Sequence, residues 1–190
     1  INLRGGIAGH PVEVEFLDDK RDKALTASNI KSILKNESAL ALVGLSNSNN
    51  AKHVFETIGN DIKAAAIPFV SDLSINALFA EYPTVFTTRA SQDDERLPVM
   101  LEFLKQSKAE RIAFFGLADQ VFSASLGDGL KAALGEKLVA DRRFALAEDK
   151  LNPDHVKLAA EEIKQLNPDM LVVSVGSSRT AEVMKLLTEA

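Results

Sequence analysis

Short apolar runs alternate with longer amphipathic segments along the whole chain. The runs at residues 12–16, 40–43, 67–70, 85–88, 111–115, 138–144 and 170–175 are rich in Val, Ile, Leu or Phe and predict strands. Helical periodicity predicts helices at residues 23–35, 49–64, 75–79, 93–105, 121–134, 153–165 and 178–188. This alternation predicts an α/β fold of parallel sheets with helices on both faces.

Small polar residues follow two of the predicted strands directly. Residues 46–50, Ser-Asn-Ser-Asn-Asn, come after the strand at 40–43, and residues 71–74, Ser-Asp-Leu-Ser, come after the strand at 67–70. A helix is predicted to begin at residue 49 in the first run and at residue 75, directly after the second run. Because unpaired N–H groups and the helix dipole favour negative charge at a helix start, these two strand ends predict a pocket for a small carboxylate-bearing ligand.

Composition restricts the classes of function. The 190 residues are 46% hydrophobic and carry a net charge of -5, which suits one good core or two small ones. No basic stripe with aromatic residues occurs, so the sequence predicts no nucleic-acid partner. No apolar run approaches the length that spans a bilayer. The absence of cysteine excludes disulfides and thiolate catalysis, and it suits an oxidising compartment.

Enzyme motifs are weak in this chain. Residues 44–48, Gly-Leu-Ser-Asn-Ser, follow a strand and precede a helix as a nucleophile elbow does, but the fifth residue is Ser where the motif has Gly. The three histidines are scattered, and residues 127–129, Gly-Asp-Gly, lack the third glycine of a dinucleotide fingerprint. The sequence therefore predicts no catalytic residue, no cofactor and no metal site. A hydrolase that uses Ser46 or Ser48 stays open as an alternative.

A series of segments in fixed order is typical of one known family. The segments are Gly-Gly-Ile-Ala-Gly at 5–9, the strand at 12–16, Asp-Asp at 18–19, the strand ending in Gly44, Ile-Pro-Phe-Val-Ser at 67–71, Val-Phe-Thr-Thr at 85–88, Arg-Ile-Ala-Phe-Phe at 111–115, Gly-Leu-Lys-Ala-Ala-Leu at 129–134 and Pro-Asp-Met-Leu-Val-Val at 168–173. The series resembles the type 1 periplasmic binding proteins. The most similar branch is that of the leucine/isoleucine/valine-binding proteins and related extracellular ligand-binding receptors.

The resemblance implies two doubly wound, Rossmann-like lobes. Residues 1–90 would form the first lobe, without its first strand and helix, and residues 91–190 the second lobe, without its C-terminal strands. The chain is thus expected to be the middle portion of a protein about twice as long, and Ile1 in place of an initiator Met agrees with this. The lobes would close about a hinge near residues 89–92.

The function that the resemblance implies is solute capture in the periplasm, or outside the cell in association with the membrane. A small solute, such as a branched-chain or other amino acid, would bind between the lobes and pass to an inner-membrane ABC permease. Three alternatives stay open: the ligand-sensing ectodomain of a signalling receptor, the effector domain of a transcription regulator, and the serine hydrolase named above.

The resemblance also assigns ligand-contacting positions: Ser48, Asn49, Leu73, Ser74, Ile75 and Phe122. Ser48 matches the serine that holds the α-carboxylate of the ligand, although it is equally suited to cap its helix. Ser74 is open to the same interpretation as a cap, and Ile75 stands where a threonine is common. Phe122 is open between the core and the cleft, whereas Phe114 and Phe115 are expected in the core. Asp22 is expected to cap the helix after it.

Overall fold

In the computed structural model, which describes residues 1–73, 76–90, 95–147 and 150–189, the strands form two separate parallel sheets. The first sheet has the order β1-β2-β3, with β1 at Leu42–Gly44, β2 at Phe69–Ser71 and β3 at Val85–Thr87. The second sheet has the order β5-β4-β6, with β4 at Ile112–Leu117, β5 at Leu138–Phe144 and β6 at Met170–Ser174. The predicted α/β class with parallel sheets is confirmed.

Helices follow the strands as the periodicity predicts. The α-helices are α1 Lys23–Leu34, α2 Ser48–Ala65, α3 Asn76–Phe79, α4 Leu97–Gln106, α5 Val121–Leu134, α6 Pro153–Leu166 and α7 Ser177–Glu189. Short 3-10 turns lie at Asn2–Arg4 and Gly135–Lys137. Asp22 caps α1, as predicted, because its carboxylate accepts the N–H of Leu25 at 2.7 Å. No helix among the described residues combines the length and the apolarity needed to cross a membrane.

The first core lies between one face of the first sheet and helices α1 and α2. Its strand residues Leu42, Phe69 and Val85 share a register and are all buried. Phe55 of α2 packs its ring against three others, at centroid distances of 6.1 Å to Phe69, 5.2 Å to Phe79 and 4.6 Å to Tyr82. This aromatic cluster fixes α2 over the centre of the sheet.

The second core covers both faces of β4. Every residue of this strand is buried, which is the burial pattern of a central parallel strand. Phe114 packs on one face with Leu104 of α4 and Leu130 of α5. Phe115 packs on the other face with residues of α6 and α7, including Val156. The expectation that Phe114 and Phe115 are core residues is confirmed.

The prediction of a strand at residues 12–16 is wrong. These residues have no ladder partner among the described strands, and Val14 and Phe16 are exposed. The backbone of Val12 is instead hydrogen-bonded to the side chain of Asn2. The Asn2 amide donates to the carbonyl of Val12 and accepts its N–H, each at 2.8 Å. Alternating residues favour a strand only where a neighbouring strand offers its edge, and here none of the described strands does.

The two sheets lie on either side of the predicted lobe boundary at residues 90 and 91. The first sheet ends with Thr87 and the second begins with Ile112. Residues 91–94, which include part of the predicted hinge, lie outside the described residues. The lobe boundary and the hinge therefore stay predictions.

Candidate ligand-binding site

Helix α2 begins directly after β1, and Asn47 caps it. The side-chain oxygen of Asn47 accepts the N–H groups of Asn49 at 2.9 Å and Asn50 at 3.0 Å. Ser48 is the first residue inside the helix, so the alternative that Ser48 is the cap is wrong. The half-buried Ser48 hydroxyl has no hydrogen-bond partner among the described residues. Its hydroxyl and its N–H are thus available at the positive end of the helix dipole.

The turn between β1 and α2 has a fixed shape. Leu45 lies in the left-handed region, with φ of 63°, where residues other than glycine are uncommon. The fully buried Ser71, at the end of β2, donates its hydroxyl hydrogen to the carbonyl of Leu45 at 3.0 Å. The end of β2 therefore holds the turn that places Ser48 beside it.

The segment after β2 is only partly described. Leu73 is buried in the first core, and its carbonyl accepts a hydrogen bond from the hydroxyl of Thr87. Any contact of Leu73 with a ligand would consequently come from its backbone N–H. Ser74 and Ile75 lie outside the described residues, so their ligand contacts stay predictions.

A surface ion pair joins the ends of β2 and β3. The guanidinium of Arg89 binds both carboxylate oxygens of Asp72, at 2.8 and 2.9 Å, and the Thr88 hydroxyl donates to the same carboxylate at 3.2 Å. The hydrogen bonds that Arg89 donates to the Asp72 carboxylate lower the pKa of Asp72 and raise the pKa of Arg89. Both charges are thus compensated within the protein at this end of the sheet.

Asn49 connects the first half of the chain to the second. Its amide nitrogen donates to the carbonyl of Asp119 at 2.8 Å, and its amide oxygen accepts the N–H of Val121 at 3.0 Å. Val121 is the first residue of α5, and Gln120 before it makes no side-chain cap. The start of α5 is therefore capped by a residue of α2, and the two helix starts lie together.

Phe122 lies in the first turn of α5. Its half-buried ring packs against the second core. The ring edge also lies near Gly176, just beyond β6: a Cβ added at Gly176 would be 3.9 Å from it. Gly176 has φ of 81°, and α7 begins at the next residue. Phe122 thus joins the core to the strand ends from which α5 and α7 begin, and its contact with a ligand stays a prediction.

Ser123 organises the same strand ends, and the sequence analysis did not identify it. This fully buried hydroxyl accepts the N–H of Leu117 at 2.7 Å and donates to the carbonyl of Ser174 at 2.6 Å, so it ties α5 to β4 and β6. A serine on the apolar face of a helix is a signal for such a contact, because a buried hydroxyl requires partners.

Catalytic geometry is not formed around the two candidate serines. Ser46 is exposed and Ser48 is half-buried, and within the described ranges neither is hydrogen-bonded to a histidine.

A surface groove of about 380 Å³ lies away from the helix starts and is lined by Arg142, Phe144, His155, Leu158, Ala159 and Glu162. These lining residues belong to β5 and α6 alone, so the groove is separate from the helix starts.

Comparison with models of known protein families shows the family to which the chain belongs. A family model described as periplasmic binding protein matches residues 1–190, the whole sequence. The chain belongs to this family. A comparison with curated protein sequences found no match.

Solved structures similar to this periplasmic binding protein share its fold. A branched-chain amino acid transporter substrate-binding protein, LivJ from Streptococcus pneumoniae in complex with isoleucine, has a TM-score of 0.77 and 18% identity over 96% of this chain and 50% of its own. An extracellular ligand-binding receptor from Rhodopseudomonas palustris has a TM-score of 0.74 and 22% identity, over 96% of this chain and 49% of its own.

A third similar structure was solved with an aromatic acid. It is a solute-binding protein of an ABC transporter from Rhodopseudomonas palustris HaA2 in complex with p-hydroxybenzoic acid, with a TM-score of 0.72 and 18% identity over 91% of this chain and 45% of its own. This binding protein therefore spans about half the length of the solved structures that it resembles. At these identities the similarity shows the fold, which is that of the type 1 periplasmic binding proteins.

Proposed function

We propose that this periplasmic binding protein captures a small carboxylate-bearing solute between two lobes, residues 1–90 and 91–190. The observation that carries the proposal is the meeting of two helix starts, α2 and α5, at the carboxyl ends of β1 and β4. In open α/β sheets ligands bind outside the carboxyl ends of the strands. Two helix dipoles that point their positive ends at one place favour an anionic group there.

Ser48 is the residue proposed to hold the carboxylate. Its N–H is not paired inside α2, and its hydroxyl is free of partners in the described part of the chain, so it offers two donors at one helix start. Backbone groups of the segment from Leu73 to Ile75 would contact the same solute from the end of β2. Phe122 would contact it from the second lobe.

The ligands of the similar structures support the proposal that the solute carries a carboxylate. Isoleucine and p-hydroxybenzoic acid, which occur in two of them, and Leu, which occurs in an ABC transporter substrate-binding protein from Desulfitobacterium hafniense, differ in side-chain chemistry. They share a carboxylate on a small molecule. We therefore propose an amino acid or a related small carboxylic acid as the solute.

The rest of the proposal concerns the place of the protein in transport. We propose that it acts in the periplasm, binds its solute without chemical change and delivers it to an inner-membrane ABC permease. Closure of the lobes about the segment near residues 89–92 would accompany binding. Membership of the family and the similarity to solute-binding proteins of ABC transporters support this place in transport.

A thermal-shift screen tests the proposal on the intact protein. Aliphatic amino acids, aromatic amino acids and hydroxybenzoates are added in turn, and a ligand at about one hundred times its Kd is expected to add about 2.7 kcal/mol of stability. Ser48→Ala is expected to weaken binding about tenfold, since it removes a hydrogen bond to a charged group. Ser32→Ala, an exposed serine on α1, is the matched control and should leave binding unchanged.

Two outcomes would contradict the proposal. One is a flat screen across all these carboxylates. The other is a ligand that binds Ser48→Ala as tightly as it binds the wild-type protein.

A further inference from the structure

The amide of Asn49 joins the two halves of the chain through both of its polar atoms. The bonds run to the carbonyl of Asp119 and the N–H of Val121, two backbone groups of one turn. A carbonyl needs a donor and an N–H needs an acceptor, so only one orientation of the amide satisfies both. A carboxamide is thus the side chain that matches this pair of backbone groups.

The first-half side of this connection is held by hydrogen bonds of α2. Asn49 lies in the first turn of α2, which Asn47 caps. The next residue, Asn50, is buried and donates its side-chain amide to the hydroxyl of Thr26 on α1 at 2.8 Å. The position of the Asn49 side chain is therefore set by the packing of α1 on α2.

The second-half side is equally well held. The carboxylate of Asp119 accepts the N–H of Leu146 at 3.2 Å, and the N–H of Ala118 donates to the carbonyl of Phe144 at 2.8 Å. These bonds attach the turn before α5 to the end of β5. Because the first side is bonded to α1 and the second side to β5, the two Asn49 bonds constrain the position of one half relative to the other.

We propose that Asn49 is an interlobe clasp, which stabilises the approach of the two lobes before any solute binds. This inference rests on the proposed function, because it assigns Asn49 a role in the closure that accompanies binding. The clasp raises the fraction of protein whose two helix starts are already together. Since apparent affinity is reduced when the binding-competent state is only partly populated, the clasp raises the affinity for the solute through this equilibrium, in addition to any contact that Asn49 makes with the solute.

The clasp differs from a direct ligand contact in one measurable respect. A residue that only contacts the ligand has no effect on the lobes of the ligand-free protein. A clasp shifts the equilibrium between open and closed lobes in the absence of ligand. The test is therefore made on ligand-free protein.

Distance measurement between spin labels provides this test. The sequence has no cysteine, so Glu56→Cys on α2 and Lys157→Cys on α6, both exposed positions, give one label in each half of the intact protein. Pulsed electron–electron double resonance then gives the distribution of distances between the two labels. Asn49→Ala is expected to move this distribution to longer distances. It should lower the ratio of closed to open protein about tenfold, because it removes two partly exposed hydrogen bonds.

Two further variants sharpen the result. Asn49→Asp can still accept the N–H of Val121, but its carboxylate cannot donate to the carbonyl of Asp119, so the shift should be in the same direction. Asn60→Ala is the matched control, because Asn60 is an exposed residue of the same helix, and its distribution should equal that of the parent. Unchanged distances in both Asn49 variants would overturn the proposal.

Binding measured on the same variants separates the clasp from the proposed function. If the distances shift and no carboxylate binds, the clasp stands and the transport proposal fails. If a carboxylate binds and the distances do not shift, the clasp fails and the transport proposal stands.

Discussion

Removal of the Ser123 hydroxyl should destabilise the second half of the protein by an amount that follows from its two hydrogen bonds. In Ser123→Ala the N–H of Leu117 loses its acceptor in a region where Leu117 is fully buried. The carbonyl of Ser174 loses its donor as well, although this residue is half-buried and water reaches it more readily. Each unsatisfied buried group costs about 1–3 kcal/mol, so we expect a total of about 2 kcal/mol, which is about thirtyfold in the unfolding equilibrium.

The assay is urea denaturation of the intact protein, with Ser125→Ala as the matched control. Ser125 lies in the same helix and is half-buried, and its side chain makes no hydrogen bond to the other described residues. Both substitutions gain the same helix propensity, so their difference isolates the two hydrogen bonds. The reasoning fails if Ser123→Ala is no less stable than Ser125→Ala, or if the two variants differ only in the slope of the unfolding free energy against urea.

Two other changes test the packing and the charge of the second half. Gly127→Ala would place a Cβ 2.6 Å from the ring of Phe114 and 2.8 Å from the guanidinium of Arg143, whereas Gly129→Ala meets the end of one leucine side chain. Gly127→Ala should therefore unfold with a free energy about 1–3 kcal/mol lower than Gly129→Ala, and equal stabilities would contradict the packing. The carboxylate of Asp169 accepts the N–H groups of Glu110 and Arg111, each at 3.0 Å, and these bonds lower its pKa. A lowered pKa stabilises the folded state above the ordinary aspartate pKa of about 3.9, and this contribution is lost as the pH falls through the lowered pKa. The melting temperature should accordingly depend less on pH, between pH 7 and pH 3, in Asp169→Asn than in the wild-type protein. Parallel curves of melting temperature against pH would contradict a stabilising role of the Asp169 carboxylate.

Strands and helices followed from the sequence wherever local pattern and tertiary environment agree. The central strand of the second sheet is a continuous apolar run, and burial on both faces is the environment that such a run requires. The segment at residues 12–16 shows the limit of this reasoning. Its alternation is a local property, whereas a strand depends on a neighbouring ladder, and the described strands do not provide one.

The general place of the proposed site can also be inferred from the sequence, because strand ends and helix starts can be located there. The sequence does not predict details that depend on a single hydrogen bond, such as which residue caps α2. Ser48 and Asn47 are adjacent and both suit a cap, and only the backbone geometry selects Asn47. The periodicity predicts a helix start at residue 49, one residue after the start at Ser48 in the structure, and a difference of one residue is usual for such boundaries.

Long-range partners lay beyond the reach of the sequence. Asn49 bonds to the backbone of Asp119 and Val121, which lie 70 and 72 residues away, and no local pattern connects them. Backbone groups carry no side-chain signature, so a contact that ends on them leaves no motif. The same reason explains why Ser123, which bonds to two backbone groups, was not identified as part of the site.

The most direct test of solute capture is a crystal structure of the intact protein with the carboxylate that stabilises it most. We predict that the carboxylate oxygens lie within about 2.7–3.2 Å of the N–H and the hydroxyl of Ser48, at the meeting of the two helix starts. A carboxylate bound at the outer groove of β5 and α6, or anywhere without a contact to Ser48, would contradict the account.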